Sequence, residues 1–313
     1  MRKPRRALVV GSEGQDGRLL SGYLFELGVE VVGISRRGTV GPKGRLPKTD
    51  IRRPVEVFSL VRRFKPDEIY FLAAVMHSSQ DKTPDPLRLF RDSYDVHVLS
   101  LVNFLEALRR FHPQGRLFNA ASSHVFGAPA SAPQNEDTPL SPNNIYGMSK
   151  ASGLWACRYY REKYGIFAST GIFYNHESSL RGPGFVSRKI VRAAAAIRGG
   201  GRKGLLLGNL SVKVDWGWAP DYVEAMRRIL SLEESDEFII ATGTRHSVAE
   251  FARKAFARFG LDWRRWVKEN PAILTRRLGR LVGDPSRLKR RTGWKPSVDF
   301  DGMIRLLAED AAG

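Results

Sequence analysis

Two side chains that can act together on a hydroxyl group stand four residues apart in this sequence. Tyr146 and Lys150 have the spacing Tyr-x-x-x-Lys, and residues four apart share one face of an α-helix, so both can reach the same ligand. A nearby cation lowers the pKa of a phenol from about 10 toward neutrality. Tyr146 could then accept a proton while a hydride leaves the adjacent carbon, and Ser122 could hydrogen-bond the same oxygen. These residues predict a redox enzyme, and His124 leaves its exact reaction open.

The N-terminal segment predicts the element that would bring a redox cofactor to this pair. The Tyr-Lys spacing alone also fits a solvated helix that happens to carry both residues. A strand over 7–10, a glycine-rich turn, an amphipathic helix over 18–27 and a strand over 29–34 form a βαβ pattern. The glycines of the turn are Gly11, Gly14 and Gly17. They permit a tight turn and close approach to a pyrophosphate, and the helix N-terminus offers free N–H groups to the phosphates.

The end of the second strand indicates which dinucleotide would bind. NAD sites usually carry an acidic residue there, about 20 residues past the glycines, to bind the ribose hydroxyls. This chain has Arg36 and Arg37 instead, which favours the 2′-phosphate of NADP. The alternative is that the two arginines only cap the strand in solvent. We predict NADP as the cofactor.

Strands and helices alternate along the rest of the chain as in a doubly wound sheet. Strands are predicted over 67–74, 116–121 and 167–174, helices over 87–110 and from Tyr146 to about Tyr164, and a loop over 38–48. The fold class is therefore α/β, a doubly wound parallel Rossmann-type sheet with a smaller α/β substrate-binding lobe. The NADP-binding domain would comprise 1–174, with 207–240 returning to it, and the smaller lobe 175–206 and 241–313.

Composition restricts the cellular setting and the metal chemistry. No apolar run in the 313 residues approaches the roughly 20 that span a bilayer. The single cysteine, Cys157, excludes an intramolecular disulfide and a cysteine-based zinc site. His97 and the other scattered histidines lack metal-ligand spacing and are expected to be structural. We expect a cytoplasmic protein with no metal and no membrane partner.

The net charge of +19 is concentrated late in the chain, with 14 Lys and Arg between Phe251 and Lys295. A basic surface suits an anionic substrate such as a nucleotide diphosphate, or a polyanion such as nucleic acid. A solvated surface without a specific partner is the alternative. Neither zinc-finger spacing nor an aromatic RNA-binding motif accompanies the charge, so nucleic acid is the least favoured partner.

Motifs along nearly the whole chain resemble those of the extended short-chain dehydrogenase/reductases that act on nucleotide sugars, and within them the GDP-mannose 4,6-dehydratase family. They include Gly14-Gln15-Asp16-Gly17, Gly33-Ile34-Ser35-Arg36-Arg37, Tyr146-Gly147-Met148-Ser149-Lys150, Asn175-His176-Glu177-Ser178, Leu207-Gly208-Asn209-Leu210 and Gly293-Trp294-Lys295-Pro296. Several of these motifs are typical of this subgroup rather than of the superfamily.

The resemblance implies an NADP-dependent lyase whose expected substrate is GDP-mannose. In that reaction C4 of the hexose is oxidised, with Tyr146 as base, Lys150 lowering its pKa and Ser122 aligning the oxygen. A second base then removes the C5 proton, water leaves C6, and the hydride returns to C6. The product would be a 4-keto-6-deoxy sugar nucleotide.

Binding residues carry over by position. The expected cofactor contacts are Gly11, Gly14, Gln15, Asp16, Gly17, Arg36, Arg37, Asp50, Ile51, Ala73, Ala74, Tyr146, Lys150, His176 and Arg181. The expected substrate contacts are Asn175, Lys189, Gly208, Asn209, Lys213 and Arg277. His176 can alternatively serve only as a buried hydrogen-bonding residue.

Three substitutions depart from the family pattern. His124 stands where the family has the glutamate that acts as acid and base at C5 and C6, and it could shuttle a proton or only pack beneath the site. Val214 replaces an arginine that contacts the diphosphate, so that Lys213 or another cation would have to compensate. Arg277 replaces a glutamate of the nucleotide-binding motif.

A fourth departure concerns assembly. The segment 37–50 is much shorter than the family loop that crosses between subunits. This favours a homodimer through the helices over 87–110 and 146–164 rather than the family's tetramer.

Three function classes follow. A nucleotide-sugar 4,6-dehydratase is the leading hypothesis. A nucleotide-sugar reductase or epimerase that keeps Ser122, Tyr146 and Lys150 is the alternative, because of His124. A catalytically silent NADP-binding protein is the third, and the intact Ser/Tyr/Lys set argues against it.

Overall fold

The computed structural model describes residues 4–75, 85–273 and 280–312. Its strands are β1 Arg6–Val10, β2 Glu30–Ser35, β3 Gly38–Gly41, β4 Gly44–Leu46, β5 Glu68–Phe71, β6 Arg116–Ser122, β7 Ala168–Phe173, β8 Asn175–Glu177, β9 Leu205–Leu207, β10 Lys213–Trp218, β11 Glu237–Ile240, β12 Arg245–Ser247 and β13 Val267–Glu269. The α-helices are α1 Gln15–Glu26, α2 Pro54–Phe64, α3 Pro86–Tyr94, α4 Ser100–Phe111, α5 Ile145–Tyr164, α6 Val186–Arg198, α7 Ala219–Leu230, α8 Val248–Ala257, α9 Ser286–Thr292 and α10 Phe300–Ala312. Shorter helical turns are a π-helical turn, Asp95–Leu99, and 3₁₀ turns at Ser123–Phe126, Trp263–Arg265 and Pro271–Ile273.

The main sheet has the strand order β11-β7-β6-β5-β1-β2-β3-β4. The first six of these strands pair in parallel. Strand β1 is buried on both faces because side chains alternate along a strand. Ala7 and Val9 pack toward α1 and α7, and Leu8 and Val10 pack toward α2 and α4. The doubly wound parallel sheet predicted from the sequence is therefore confirmed.

The segment predicted as a loop over 38–48 is a β-hairpin instead. β3 pairs antiparallel with β2, and β4 pairs antiparallel with β3, so the hairpin extends the sheet beyond β2. Gly44 turns the chain with φ +114°, a conformation that favours glycine. Thr39 is buried, and its hydroxyl accepts a hydrogen bond from the Thr49 amide at 3.1 Å. The prediction of a loop was wrong because turn glycines dominate the composition of this stretch.

The helix predicted over 87–110 is also interrupted. The chain runs from α3 through the π-helical turn Asp95–Leu99 into α4. A π-helical turn accommodates one additional residue in the helix and is frequent at functional sites.

The smaller lobe has its own apolar core. β8, β10 and β12 form a three-stranded sheet, and β9 pairs with β13. Residues of α6, α8, α10 and β10 fill the core, including Ile190, Trp216, Phe251 and Ile304. α7 packs on the main sheet, and β11 pairs with β7. The domain boundaries given above stay a prediction. Among the described residues, no helix combines the length and apolar character needed to cross a bilayer.

Candidate active site

The predicted catalytic residues meet at the carboxyl end of β6. Ser122 is the last residue of that strand, and His124 lies in the 3₁₀ turn that follows it. Tyr146 lies in the first turn of α5, whose N-terminus is capped by Asn144: its Oδ1 accepts a hydrogen bond from the Gly147 amide at 2.9 Å. The Cβ that a side chain at position 147 would add would lie 2.4 Å from the His124 carbonyl oxygen. Gly147 thus permits α5 to approach the turn that carries His124.

Lys150 is almost completely buried beneath this site, with 3% of its surface exposed. Its Nζ donates a hydrogen bond to the carbonyl oxygen of Ala120 at 2.7 Å and lies 5.8 Å from the centroid of the Tyr146 ring. Burial lowers the pKa of Lys150 to about 8, although the nearby carboxylate of Asp16 opposes the shift. The lysine can therefore supply a cation next to the phenol at neutral pH.

The His124 ring lies nearly perpendicular to that of Tyr146, with 5.7 Å between the centroids. Because Oδ1 of Asn144 is used as the helix cap, the amide NH₂ faces Nδ1 of His124 at 3.4 Å. An NH₂ group can only donate, so Nδ1 is the accepting nitrogen and the proton of the neutral ring resides on Nε2. Sequence reasoning missed Asn144, although Asn just before a helix is a common N-cap signal.

The glycine-rich turn has the shape that a pyrophosphate requires. Gly14 is the N-cap of α1, so the first N–H groups of that helix point out of the turn. A Cβ at Gly17 would lie 2.2 Å from the Gly11 carbonyl oxygen, and one at Gly11 would lie 2.8 Å from the Ala73 amide nitrogen. The turn also hydrogen-bonds β2, because the amides of Gly11 and Ser12 both donate to the Ile34 carbonyl. The residues present fit a bound dinucleotide.

The other expected cofactor contacts lie at the end of β2, between β4 and α2, and after β5. Arg36 and Arg37 are exposed where β2 ends, and Arg37 forms an ion pair of 3.4 Å with Glu13. The Asp50 carboxylate is held by the Arg52 guanidinium in two hydrogen bonds of 3.0 and 2.7 Å, which lower its pKa to about 2. Ile51 accepts a hydrogen bond through its carbonyl from Asn103. Ala73 and Ala74 lie in the segment after β5, where Ala73 is next to Gly11.

Asp16 and His176 connect the cofactor turn to the smaller lobe. His176 Nδ1 lies 2.8 Å from the carbonyl oxygen of Tyr174, and Nε2 lies 3.0 Å from Oδ1 of Asp16. Burial opposes ionisation of Asp16, but the charge and hydrogen bond of His176 outweigh it and lower the pKa of the carboxyl to about 2. Gln15 adds a second link, accepting a hydrogen bond from the Ser178 hydroxyl at 2.9 Å.

The expected substrate contacts lie on several elements of the smaller lobe. Asn175 is exposed at the start of β8, Lys189 is half-buried in α6, and Gly208 and Asn209 follow β9. Lys213 is exposed, whereas Val214 is 9% exposed and packs in the lobe's core. The side chains of the two residues point to opposite faces of β10 because they are neighbours in a strand. Arg181, one of the expected cofactor contacts, forms an ion pair of 3.2 Å with Glu177, and its guanidinium lies over the Phe185 ring.

Arg277 lies outside the described residues. The binding and catalytic roles assigned from the sequence stay predictions. Within the described ranges, the chain places no group of three or more His, Cys, Asp or Glu that could hold a metal ion.

Relatives of the chain are similar over nearly its whole length. The profile of the family described as GDP-mannose 4,6 dehydratase matches residues 8–307. GDP-mannose 4,6 dehydratase 1 of Arabidopsis thaliana is 36% identical over 98% of this chain and 90% of that protein. The Homo sapiens GDP-mannose 4,6 dehydratase is 34% identical over 97% and 91%.

Solved structures share the fold. RMD from Pseudomonas aeruginosa, complexed with NADPH, has a TM-score of 0.82 and 22% identity, covering 98% of this chain and 99% of that one. A putative epimerase from Burkholderia cenocepacia has a TM-score of 0.86 and 20% identity, covering 100% and 99%. With the family profile matched from β1 to α10, this chain belongs to the GDP-mannose 4,6-dehydratase family.

Proposed function

We propose that this chain is an NADP-dependent nucleotide-sugar 4,6-dehydratase with GDP-mannose as its substrate. The observation that carries the proposal is that Ser122, Tyr146 and Lys150 come together at the end of β6. The neighbouring strand β5 leads into the segment that contacts Gly11 of the glycine-rich turn. The relatives named GDP-mannose 4,6 dehydratase support the choice of substrate.

The residues at the end of β6 carry the first half of the reaction. Tyr146 takes the proton of the C4 hydroxyl, and Ser122 hydrogen-bonds the same oxygen. Lys150, 5.8 Å from the Tyr146 ring, stabilises the phenolate because the two opposite charges interact in a buried setting. The chemistry that a bound NADP⁺ would supply is hydride acceptance from C4 and hydride return to C6. Arg36 and the N–H groups of α1 would hold its phosphates.

His124 is the candidate for the second half, in which the C5 proton is removed and the C6 hydroxyl leaves as water. To act as a base through Nε2, the neutral ring must first move its proton to Nδ1, which turns the Asn144 contact from favourable to repulsive. This contact favours the second candidate function, an epimerase or reductase that uses Tyr146 without eliminating water.

Mass spectrometry of the product distinguishes the two functions. The protein is incubated with NADP⁺ and GDP-mannose, and a product lighter by one water supports dehydration. A product of unchanged mass that is separated from GDP-mannose by chromatography indicates epimerisation. Reduction needs a hydride donor and a keto sugar, so it is tested separately with NADPH and a 4-keto nucleotide sugar, whose product would be heavier by two hydrogens. Tyr146→Phe is the control and is expected to remove every conversion. If the His124→Ala variant forms the dehydrated product at the wild-type rate, His124 is not the base that removes the C5 proton.

We expect Arg36 to determine the preference for NADP. Because a guanidinium binds a phosphate through charge-assisted hydrogen bonds, Arg36→Gln should weaken NADP binding by about 10–100-fold and NAD binding by less than about threefold. Both dissociation constants can be measured by fluorescence titration. Arg62→Gln, at an exposed position of α2, is the matched control. Equal losses for NADP and NAD would assign the 2′-phosphate to another residue.

We propose a homodimer formed through α3, α5 and the π-helical turn. Apolar side chains are exposed there, with 56% of Leu99, 50% of Trp155 and 53% of Tyr159 accessible. Leu87 and Phe90 extend this surface along α3, which packs against α5. Contiguous exposed apolar surface on a protein marks an interaction site, and a second copy of the chain matches it.

Trp155→Glu is expected to convert the dimer to a monomer, since it places a charge at the centre of an apolar interface. Light scattering after gel filtration measures the mass. Val55 of α2 is also exposed, at 78%, but lies outside the proposed interface. Val55→Glu is therefore the control and should leave the mass of the particle unchanged. A wild-type monomer, or a dimer that survives Trp155→Glu, contradicts the proposed interface. A cytoplasmic location remains part of the proposal, because one cysteine, Cys157, requires no oxidising compartment.

A further inference from the structure

The buried histidine His97 connects the segment after β5 with the helix that carries Tyr146 and Lys150. It lies in the π-helical turn between α3 and α4, and only 2% of its surface is exposed. Neither the motifs nor the reaction described above uses it.

The hydrogen bonds of His97 have a defined direction. The Val75 amide donates to Nε2 at 2.8 Å, so this nitrogen carries a lone pair. Nδ1 of the neutral ring then carries the proton and donates to the Ser149 hydroxyl oxygen at 2.7 Å. Ser149 in turn donates to the carbonyl oxygen of Tyr146 at 2.9 Å. A continuous chain of donors therefore runs from Val75 to the main chain of Tyr146.

The surroundings keep the His97 ring neutral and hold it against the phenol. Burial and the charge of Lys150 lower the pKa of His97 to about 2. The His97 ring meets the Tyr146 ring edge-on, with 5.5 Å between centroids and 88° between planes. The phenol also contacts the His124 ring edge-on at 5.7 Å. Both contacts restrict the orientation of the Tyr146 side chain.

We infer that His97 is a positioning residue for Tyr146, which rests on the proposed function of Tyr146 as the C4 base. Val75 directly follows Ala73 and Ala74, whose segment adjoins Gly11 of the cofactor turn. The hydrogen-bonded chain therefore sets the position of the Tyr146 phenol relative to the glycine-rich turn that would bind the cofactor. Misplacement of a catalytic group by about 1 Å can cost about 100-fold in rate.

Two variants separate hydrogen bonding from packing. His97→Leu fills a similar volume but removes both hydrogen bonds, whereas His97→Gln can accept from Val75 and donate to Ser149. With GDP-mannose and NADP⁺, the kcat of His97→Leu should be about 10–100-fold below that of the wild type, and its KM should change less than about threefold. The kcat of His97→Gln should lie within about fivefold of the wild-type value. Ser149→Ala should lower kcat similarly, and the double variant with His97→Leu should be no slower than the slower single variant.

Hydrogen exchange measured by mass spectrometry tests the same link without turnover. In His97→Leu, the amides over 146–150 should exchange at least about tenfold faster than in the wild type, and in His97→Gln at nearly the wild-type rate. Exchange in His97→Leu within twofold of the wild type overturns the proposal. Equally fast exchange in both variants overturns it as well, because packing alone would then position Tyr146. A wild type that gives no product contradicts the proposed function but leaves the exchange comparison intact.

Discussion

Lys150→Met is expected to abolish turnover and, at the same time, to stabilise the protein at neutral pH. The folded-state pKa of Lys150 is about 8, against 10.5 for an unperturbed lysine. The unfolded chain therefore binds more protons between these values, and stability rises with pH through that window. At pH 7 the buried cation costs about 3 kcal/mol of folding free energy, from about 1.4 kcal/mol per pKa unit.

The expected net gain for Lys150→Met is smaller, about 0–2 kcal/mol at pH 7. The variant leaves the Ala120 carbonyl without the 2.7 Å hydrogen bond from Nζ, and an unsatisfied buried acceptor costs about 1–3 kcal/mol. Urea unfolding measures the difference, which should vanish or reverse above about pH 10, where the wild type no longer carries the cation. Lys163→Met, at an exposed position on the same helix, is the matched control and should change stability by less than about 0.5 kcal/mol.

The loss of turnover follows from the same residue. Without a neighbouring cation, a phenol returns toward its ordinary pKa near 10, so only about one molecule in a thousand is ionised at pH 7. We expect kcat to fall at least about 1,000-fold in Lys150→Met. A Lys150→Met protein that is less stable than the wild type at pH 7 would contradict the burial cost. One that retains a tenth of the activity would contradict the role of the cation.

Features that depend on neighbouring residues could be predicted from the sequence. The turn from Gly11 to Gly17 is specified by three glycines between a strand and a helix, and β1 has the continuous apolar sequence of a strand buried on both faces. The spacing of Tyr146 and Lys150 places them on one helix in the same way.

Features that depend on distant contacts could not be predicted. His176 lies 160 residues from Asp16 in the sequence, and no local pattern indicates that they pair. His97 was expected to be structural because scattered histidines usually are, and its partners Val75 and Ser149 come from two other elements. The hairpin over β3 and β4 was missed because its glycine content is also typical of loops.

Val214 illustrates the limit of comparison by position. Its place in the family pattern suggested a missing contact to the diphosphate, with Lys213 or another cation as the replacement. In the fold, Val214 is a core residue of the smaller lobe, while the neighbouring Lys213 points away from that core. The role of Lys213 in binding the diphosphate stays a prediction.

Gly17→Ala is expected to remove NADP binding, although it adds only one methyl group. The new Cβ would lie 2.2 Å from the Gly11 carbonyl oxygen and 2.7 Å from the Ser12 Cα. Both are main-chain atoms, so the turn itself must move, and the Gly11 and Ser12 amides must shift away from the Ile34 carbonyl. Such overpacking costs about 1–3 kcal/mol of stability, and the displaced helix N-terminus no longer fits a pyrophosphate. We expect the dissociation constant for NADP to rise at least about 100-fold, measured by fluorescence titration or calorimetry.

Gly22→Ala on the same helix gives the opposite expectation and makes the test specific. Apart from its chain neighbours and the backbone of its own helix, a Cβ at Gly22 would meet no described atom within 4 Å. Alanine is favoured over glycine inside a helix by about 0.5–1 kcal/mol, so this variant should be more stable and should bind NADP normally. If both alanine variants bound NADP as the wild type does, the cofactor would not approach the turn at Gly17. If both lost binding, the effect would come from α1 as a whole. If only Gly17→Ala loses NADP binding, the cofactor requires the close approach of α1 to the Gly11 carbonyl.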